Sequence, residues 1–334
     1  MNQKILLVNR PVGSPKESDF RLATSPVPAL AEGECLVRSI YLSLDPYLRG
    51  RMDDRKSYTP PIELGNVMEG FVVGRIVKSN HPDFKAGEIV LGNIGWQEYG
   101  AIPYKELSKI NPDLGSISTA LGILGMPGLT AYFGLFHVGR PQSGKTIVIS
   151  GATGTVGSTV GQLAKIKGCQ VIGITSSDEK IKYLTENLGF DGAVNHKAIN
   201  DCSSTLQSLC PEGIDIYFDN VGGSITDTVI PLLNVKARVA VCGQSSQYNL
   251  ENKEMGPRWL RQLIIKRVKV EGFLVWDFIE HHADALEQLS SWLKEGKLRY
   301  DEHLTEGIEN TPRAFIELLA GDHQGKQLVR LTQH

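Results

Sequence analysis

The feature that most constrains this chain is a glycine-rich turn at residues 151–157, between an apolar strand and a helix. The strand TIVISG is followed directly by the pattern Ala152-x-Gly154-x-x-Gly157, with Gly151 beside the alanine that stands where the first glycine of such a pattern usually lies. A turn of this kind needs a sharp bend, a backbone without a Cβ where a pyrophosphate approaches a helix N-terminus, and close contact between helix and strand. The pattern therefore predicts a dinucleotide-binding turn; the alternative is a helix start whose glycines serve packing alone.

Apolar strands alternate with helical segments on both sides of this turn. The predicted strands are 146–151, 169–177, 214–220, 237–243 and 268–275, and the predicted helices are 154–167, 178–188 and 279–295. This alternation is typical of a parallel sheet with right-handed crossovers and helices on both faces. Residues 1–120 instead contain short strands rich in β-branched residues, separated by Gly and Pro. The C-terminal residues add a strand in LRYDEHL, a helix near 311–320 and a final strand KQLVRL.

A second stretch, from Gly139 to Thr146, fits the pattern of a phosphate-binding P-loop letter for letter. A P-loop follows a strand and places its Lys and Thr at the start of a helix. Here Lys145 and Thr146 lead into the strand TIVIS, and the preceding GLTAYFGLFHV is helical in pattern. We therefore interpret this stretch as a turn before a strand.

The choice of cofactor depends on the end of the second strand of the parallel sheet. Enzymes that use NAD commonly carry Asp or Glu there to bind the ribose 2′-hydroxyl. This chain has Ile174-Thr175-Ser176-Ser177, with Lys180 one helical turn further on. Hydroxyls and a lysine suit a 2′-phosphate, which a carboxylate would repel, so we predict NADPH. The alternative is that Lys180 is an ordinary solvated surface residue.

Composition excludes several classes of protein. The formal net charge of −2 gives no reason to expect nucleic acid as a partner, and no apolar run approaches the length of a membrane span. The N-terminus does not have the pattern of a signal peptide. Five scattered cysteines suit reduced thiols, so we expect a cytoplasmic protein that binds neither nucleic acid nor a membrane.

Longer stretches resemble the zinc-independent medium-chain dehydrogenase/reductases, in the branch of leukotriene B4 12-hydroxydehydrogenase/prostaglandin reductase and bacterial curcumin reductase. The segments that carry the resemblance are NRPVGSP (9–15), SLDPYLRGRM (43–52), SYTPP (57–61), LGMPGLTAYFGL (124–135), SGATGTVGSTVGQLAKIKGC (150–169), FDNVGG (218–223), KVEGFLV (269–275) and 296–326. The resemblance implies a GroES-like β-rich catalytic domain at 1–121, a doubly wound Rossmann NADPH-binding domain at 122–295, and a C-terminal return to the catalytic domain at 296–334.

The activity that the resemblance implies is transfer of a hydride from NADPH to the β-carbon of an α,β-unsaturated ketone or aldehyde. Lys180 matches the 2′-phosphate lysine of the branch, Asn220 a contact near the nicotinamide, and Tyr248 a tyrosine that closes over the cofactor. His196 stands where mammalian members have Tyr. The full set of expected cofactor contacts is Gly151, Ala152, Gly154, Thr155, Val156, Gly157, Ser176, Lys180, His196, Asn220, Cys242, Tyr248, Phe273 and Val275.

No catalytic zinc is expected. The zinc-dependent relatives carry a Cys ligand near the position of Leu44-Asp45 and a Gly-His-Glu near Val67-Met68-Glu69, and this chain has neither Cys nor His at either place. A catalytic zinc needs about three protein ligands and a structural one needs four. The chain also contains no Cys-x-x-Cys cluster.

Reduction of an enone places negative charge on the carbonyl oxygen, so the site needs a hydrogen-bond donor there and a source of a proton. Mammalian and plant members supply a tyrosine before the last Rossmann strand, where this chain has Ile265. Tyr58, in the sequence SYTPP, matches a tyrosine of curcumin-reductase-like members and is our first candidate for the donor. Tyr47 is the second. The ribose hydroxyl of the cofactor can also bear this charge, in which case Tyr58 would tune the rate.

We expect an apolar substrate pocket and a homodimer. The residues predicted to line the pocket are Trp96, Met126, Trp276 and Phe278, with core packing as the alternative for each. The family implies a dimer that pairs the edges of the VKVEGFLV strands. Two other functions stay open at this stage: an NADPH-dependent quinone reductase, and an NADPH-binding protein without catalytic activity, which Ile265 suggests.

Overall fold

The computed structural model describes residues 1–197, 202–252 and 254–332, which form two compact units. Unit 1 contains Met1–Leu121 and the residues from Glu302 onward, and unit 2 contains Gly122–Asp301. The C-terminal return to unit 1 therefore begins at Glu302, six residues later than the predicted residue 296. The reason is local: Leu298 is buried, and the backbone N–H of Arg299 donates to Oε1 of Gln162 at 2.7 Å, so this segment stays attached to unit 2.

The elements of the described chain are as follows. The strands are β1 (Asn2–Leu7), β2 (Phe20–Ser25), β3 (Glu34–Ser43), β4 (Val72–Ser79), β5 (Ile89–Gly92), β6 (Tyr99–Pro103), β7 (Ser108–Lys109), β8 (Thr146–Ser150), β9 (Gln170–Thr175), β10 (Gly192–Asn195), β11 (Ile214–Asp219), β12 (Leu233–Val241), β13 (Lys269–Gly272), β14 (Glu302–Glu306) and β15 (Lys326–Arg330). The α-helices are α1 (Leu48–Arg51), α2 (Met126–Phe133), α3 (Thr155–Ile166), α4 (Asp178–Lys182), α5 (Cys202–Leu209), α6 (Gly223–Val229), α7 (Leu260–Lys266), α8 (His282–Lys294) and α9 (Thr311–Ala320).

Unit 2 is built on a six-stranded sheet in the order β10-β9-β8-β11-β12-β13, with every pairing parallel. This is the order of the doubly wound dinucleotide-binding fold, as the alternation of strands and helices predicted. Every residue of β8 is buried, which explains the apolar run Ile147-Val148-Ile149 at its centre. The sheet places the carboxyl ends of β8, β9 and β11 next to one another, where ligands of such folds bind.

Two parts of unit 2 differ from the prediction. Strand β10 was not predicted, because its four residues, GAVN, contain one large apolar side chain and pair with β9 alone. The strand predicted over 268–275 is confined to β13, and the chain then forms a 3₁₀ turn at Val275–His281 before α8 begins at His282. The apolar residues after Gly272 therefore lie outside the strands of the sheet. Val275 is buried, whereas Leu274, Trp276 and Ile279 are exposed.

Unit 1 contains a seven-stranded sheet in the order β14-β15-β3-β4-β5-β7, with β6 paired to β3. Strand β15 pairs antiparallel with β3 and parallel with β14, so the C-terminal return completes a sheet that the first 110 residues begin. The hairpin of β1 and β2 lies beside this sheet and is connected to it by the isolated bridge between Lys4 and Gln97. The β-rich character predicted for this part of the chain is confirmed.

The stretch that resembles a P-loop is a turn before β8, as predicted. Lys145 donates to Oδ1 of Asp215 at 3.2 Å, and the backbone N–H of Thr146 donates to Oδ2 of the same carboxylate at 3.0 Å. The lysine and threonine that would bind a phosphate are thus bound to Asp215. None of the helices in the described ranges has the length and the apolar character needed to cross a membrane.

Candidate active site

The glycine turn joins β8 to α3 at the carboxyl edge of the parallel sheet. Gly151 makes the bend, with φ of +59°, a backbone conformation that glycine adopts without strain. A Cβ added to Gly157 would lie 2.4 Å from the carbonyl oxygen of Gly151, so the close approach of helix and strand requires a glycine there. Ala152 is tolerated at its position because the neighbouring strand presents Gly173, at which an added Cβ would lie 3.0 Å from the Cβ of Ala152.

The N-terminus of α3 can bind an anion. Its N-cap residue is Gly154, which has no side chain to cap the helix, so the amides of its first turn, at Thr155, Val156 and Gly157, can bind a ligand. A Cβ added to Gly154 would have its nearest neighbouring protein atom 3.5 Å away, so the protein itself does not require a glycine at this position. The contact of Gly154 with a pyrophosphate stays a prediction.

Polar side chains follow β9 and β10, where a 2′-phosphate is expected. The Nζ of Lys180 lies 3.4 Å from the Oγ of Ser176, and the backbone N–H of His196 donates to the carbonyl oxygen of Thr175 at 2.9 Å. The first carboxylate of α4, Asp178, accepts a hydrogen bond from the side chain of Asn195 at 2.9 Å. The structure therefore brings Ser176, Lys180 and His196 to one edge of the sheet.

His196 differs chemically from Lys180. Burial, with a smaller effect of the neighbouring charge of Lys197, lowers the pKa of the His196 imidazole. The ring is therefore neutral near pH 7 and can donate or accept one hydrogen bond, whereas the ammonium group of Lys180 supplies charge.

Asn220 is held at the end of β11 by a hydrogen-bond network that the sequence analysis did not find. Its backbone N–H donates to Oγ of Ser150 at 2.9 Å, and its Nδ2 donates to the carbonyl oxygen of Ser150 at 2.8 Å. The Ser150 hydroxyl in turn donates to the buried carboxylate of Asp219, which also accepts from Tyr217 and Thr226. The available signal for this network was a carboxylate, Asp219, directly after the buried run Ile216-Tyr217-Phe218.

Cys242 and Tyr248 follow β12 at the same edge. Cys242 donates its backbone N–H to the carbonyl oxygen of Asp219 at 2.8 Å, and burial followed by the charge of Asp219 raises the pKa of its thiol to about 12. A Cβ added to Gly243 would lie 3.4 Å from the hydroxyl of Tyr248, so this phenol lies over the start of the loop that carries it. Both residues lie in the segment after β12, next to the end of β11 that carries Asn220, and their contact with a cofactor stays a prediction.

Phe273 and Val275 contribute to packing in unit 2. The Phe273 ring packs edge-on against Phe218, with ring centroids 6.2 Å apart, and fills the space that a Cβ on Gly134 would need. Val275 is buried in a cluster with Phe133, and its carbonyl oxygen lies 2.9 Å from Nε2 of His282. Their side chains are engaged with the protein, so any contact with a cofactor would involve their backbone.

The four residues predicted to line the substrate pocket lie in different surroundings. Trp96 is fully buried in the core of unit 1, stacked on Phe20 with centroids 5.6 Å apart, so its placement on a pocket wall was wrong. Met126 and Phe278 are half-buried against one cluster of unit 2, in which Phe278 stacks on Phe133 at 4.8 Å. Trp276 is 48% exposed and is available to a ligand.

Tyr47 and Tyr58 both lie in unit 1, and among the groups that influence the pKa of the Tyr47 phenol Tyr58 has the smallest effect. Burial raises the pKa of the Tyr47 phenol well above its ordinary value, and the negative charges of Asp45 and Glu69 raise it further. Tyr47 therefore stays protonated and can donate a hydrogen bond. Tyr58 is 58% exposed. Ile265, at the position of the tyrosine of other members, lies in α7 with its side chain exposed.

Ion pairs occupy the positions where the zinc-dependent relatives carry ligands. Asp45 accepts a hydrogen bond from the buried Nζ of Lys326 at 2.6 Å, and Glu69 accepts one from Nη2 of Arg51 at 2.5 Å. Met68 is a core residue. In the described ranges, no group of three or more His, Cys, Asp or Glu side chains is placed to hold a metal ion.

Comparisons with known proteins match both parts of the chain. Residues 3–110 match a family model described as the N-terminal domain of oxidoreductase, and residues 155–294 match one described as zinc-binding dehydrogenase. An NADPH-dependent curcumin reductase from Escherichia coli (strain K12) is 45% identical over 336 residues, which cover 99% of this chain and 97% of that protein. A 2-alkenal reductase (NADP(+)-dependent) from Nicotiana tabacum is 41% identical over 337 residues, which cover 99% of this chain and 98% of that protein.

A solved structure shows the same architecture. The crystal structure of CurA in complex with NADPH from Vibrio vulnificus superimposes with a TM-score of 0.95 and is 46% identical, covering 99% of this chain and 100% of that chain. The similarity therefore extends over both units and over the glycine turn.

Proposed function

Because the chain belongs to the medium-chain dehydrogenase/reductase family, in the branch of the curcumin and 2-alkenal reductases, we propose that it is an NADPH-dependent reductase of the carbon–carbon double bond of α,β-unsaturated ketones and aldehydes. The observation that carries the proposal is the identity to a curcumin reductase over nearly the whole chain. The glycine turn, the uncapped N-terminus of α3 and Lys180 supply the features that such a reductase needs to hold NADPH.

NADPH, when bound, supplies the hydride that adds to the β-carbon of the substrate. The turn from Gly151 to Gly157 and the first-turn amides of α3 bind the pyrophosphate. Ser176 and Lys180 bind the 2′-phosphate, with His196 as a neutral hydrogen-bonding partner. Asn220, held in place by Ser150, orients the nicotinamide end. The cofactor is also proposed to contact Cys242, Tyr248 and the backbone of Phe273 and Val275.

Tyr58 is the proposed hydrogen-bond donor to the carbonyl oxygen of the substrate. Charge develops on that oxygen as the hydride adds, and a phenol placed there stabilises it. The same phenol supplies a proton that completes the reduction, and water can restore that proton because the side chain is 58% exposed. Tyr47 is the second candidate, and its raised pKa suits a residue that donates a hydrogen bond without losing its proton.

The substrate is proposed to contact Met126, Trp276 and Phe278. The exposed indole of Trp276 offers an apolar, aromatic surface, which favours apolar substrates. No zinc takes part in this proposal, because Asp45 and Glu69 are engaged in ion pairs at the positions of the missing ligands.

A homodimer in the cytoplasm completes the proposal. Strand β13 pairs with β12 on one side, and its Val270 is 41% exposed, so a second copy pairing with β13 would cover this edge. All five cysteines are free, which suits a reducing compartment.

The experiment that tests the function compares NADPH consumption on three sets of compounds. We expect turnover on alkenals and benzalacetone, a slower reaction or none on a naphthoquinone, and a strong preference for NADPH over NADH. Turnover of the quinone with inert enones would replace the proposal with a quinone reductase. Tight NADPH binding without turnover on either set would instead indicate a protein that binds the cofactor without catalysis.

A further inference from the structure

The loop that carries Tyr58, residues 53–61, is bound to α1 at both of its ends, by Arg49 through Asp53 at its start and by Arg51 at its C-terminal end. The backbone carbonyl of Arg51 accepts a hydrogen bond from the N–H of Ile62 at 2.8 Å, and its side-chain Nε donates to the carbonyl oxygen of Pro60 at 2.7 Å. Arg51 thus binds the chain at Pro60 and Ile62, which lie two and four residues after Tyr58.

The sequence of this loop makes the contact with Pro60 important. Pro60 and Pro61 have no backbone N–H, so the backbone of this pair can be held through its carbonyl groups alone. A donor aimed at the Pro60 carbonyl is therefore one of the few ways to fix the segment that follows Tyr58.

Glu69 determines where the guanidinium of Arg51 points. Its Oε1 accepts from Nη2 of Arg51 at 2.5 Å, and the side chains of Arg51 and Glu69 are 12% and 32% exposed. The guanidinium is a rigid planar fork, so the bond from Nη2 to Glu69 fixes the direction in which Nε meets Pro60. Glu69 itself is supported by Nδ2 of Asn93 at 3.4 Å.

We propose that Arg51 is a positioning residue that holds the Tyr58 hydroxyl in its working place, and that Glu69 orients Arg51 for this task. The proposal rests on the proposed function, in which Tyr58 is the hydrogen-bond donor. Arg51 does not touch the substrate in this account and acts through the loop. Loss of the contacts of Arg51 with Pro60 and Glu69 therefore leaves Tyr58 present but displaced. The rate of reduction falls, because a small displacement of a catalytic group lowers the rate strongly.

The test is a double-mutant cycle on a purified full-length chain with an enone and NADPH. Tyr58→Phe alone is expected to lower kcat about 100-fold, in the range seen on removal of an oxyanion-stabilising donor. Arg51→Ala alone is expected to lower kcat about tenfold with an unchanged KM for NADPH, and to lower it less than about twofold when Tyr58 is already Phe. Glu69→Gln is expected to follow Arg51→Ala in both backgrounds with a smaller loss.

Arg313→Ala is the matched control, because Arg313 forms an exposed ion pair with Glu317 in α9 of the same unit and should leave kcat unchanged. Arg51→Lys is the second variant if Arg51→Ala does not fold, since lysine keeps the charge but cannot bind Pro60 and Glu69 in the same way. Equal losses from the Arg51 variant in the two backgrounds would refute the positioning role while leaving Tyr58 as the donor. Full activity of Tyr58→Phe alone would remove the donor assignment, and the role of Arg51 with it.

Discussion

The carboxyl edge of the sheet in unit 2 and the region around Tyr47 and Tyr58 in unit 1, called the tyrosine region, use different kinds of chemical group. At the sheet edge, the groups offered to a cofactor are backbone amides of α3 and a bend at Gly151, supported by neutral hydrogen bonds and one buried carboxylate. In the tyrosine region, two phenols lie among ion pairs, with Arg51 and Lys326 as the cations. The turn of the first region depends on the absence of side chains, while the proposed 2′-phosphate contact there depends on the charge of Lys180. The second region depends on the charge of buried side chains.

This difference predicts different responses to substitution. Backbone amides cannot be removed by mutation, so the sheet edge is sensitive to added atoms at its glycines. In the tyrosine region, Lys326 and Asp45 form a buried ion pair, and removal of one partner would leave the charge of the other uncompensated. Affinity for NADPH should therefore respond to changes in unit 2, and kcat should respond to changes in unit 1.

The largest expected effect separates two glycines of the same turn. Gly154→Ala should fold normally but raise the Kd for NADPH about 100-fold, because the new Cβ occupies the space of the pyrophosphate. Gly157→Ala should lose binding and also lower Tm by about 5 °C or more, because its Cβ would lie against the backbone of Gly151. Fluorescence titration with NADPH measures the Kd of each variant, and thermal melting measures its Tm. Normal NADPH affinity in Gly154→Ala would contradict the account of the turn.

A smaller effect is expected at the 2′-phosphate. Lys180→Ala should raise the Kd for NADPH about 30-fold, which corresponds to the loss of one charge-assisted hydrogen bond. The Kd for NADH should stay unchanged, because NADH has no 2′-phosphate. Lys182, two residues further along α4 and exposed, is the matched control, and its alanine variant should stay within about twofold of the parent for both cofactors. Equal weakening of NADPH and NADH by Lys180→Ala would place this lysine elsewhere on the cofactor.

The smallest effect is expected from Tyr47→Phe. This change should lower kcat/KM about fivefold, which corresponds to the loss of one hydrogen bond between neutral groups. Because the pKa of Tyr47 is raised, its phenol keeps its proton as the pH rises, so the ratio of parent to variant activity should stay constant between about pH 7 and pH 10. A ratio that falls towards one in this interval would show that Tyr47 loses its proton there, against the account.

The parts of the molecule that the sequence predicted are those with a local cause. The turn at 151–157 and the buried strand β8 follow from short-range rules, and the structure has both of them. Strand β10 was missed because an edge strand of four residues carries little apolar periodicity.

The parts that were not predicted depend on contacts between distant segments. Trp96 belongs to the core because Phe20 and Phe315, far away in sequence, close around it. The ion pairs Arg51–Glu69 and Asp45–Lys326 likewise join residues that no local pattern connects. In this chain, the residues proposed to bind the cofactor, Lys180 included, could be found from local spacing, whereas ion pairs between distant segments required the structure.

The most direct test of the central claim is to follow the hydride. The purified protein is supplied with an enone and with NADPH deuterated at the transferable position of the nicotinamide, and the product is examined by mass spectrometry and NMR. The account predicts a saturated ketone with one deuterium on the β-carbon. Deuterium on the carbonyl carbon of an allylic alcohol, or no deuterated product at all, would contradict it.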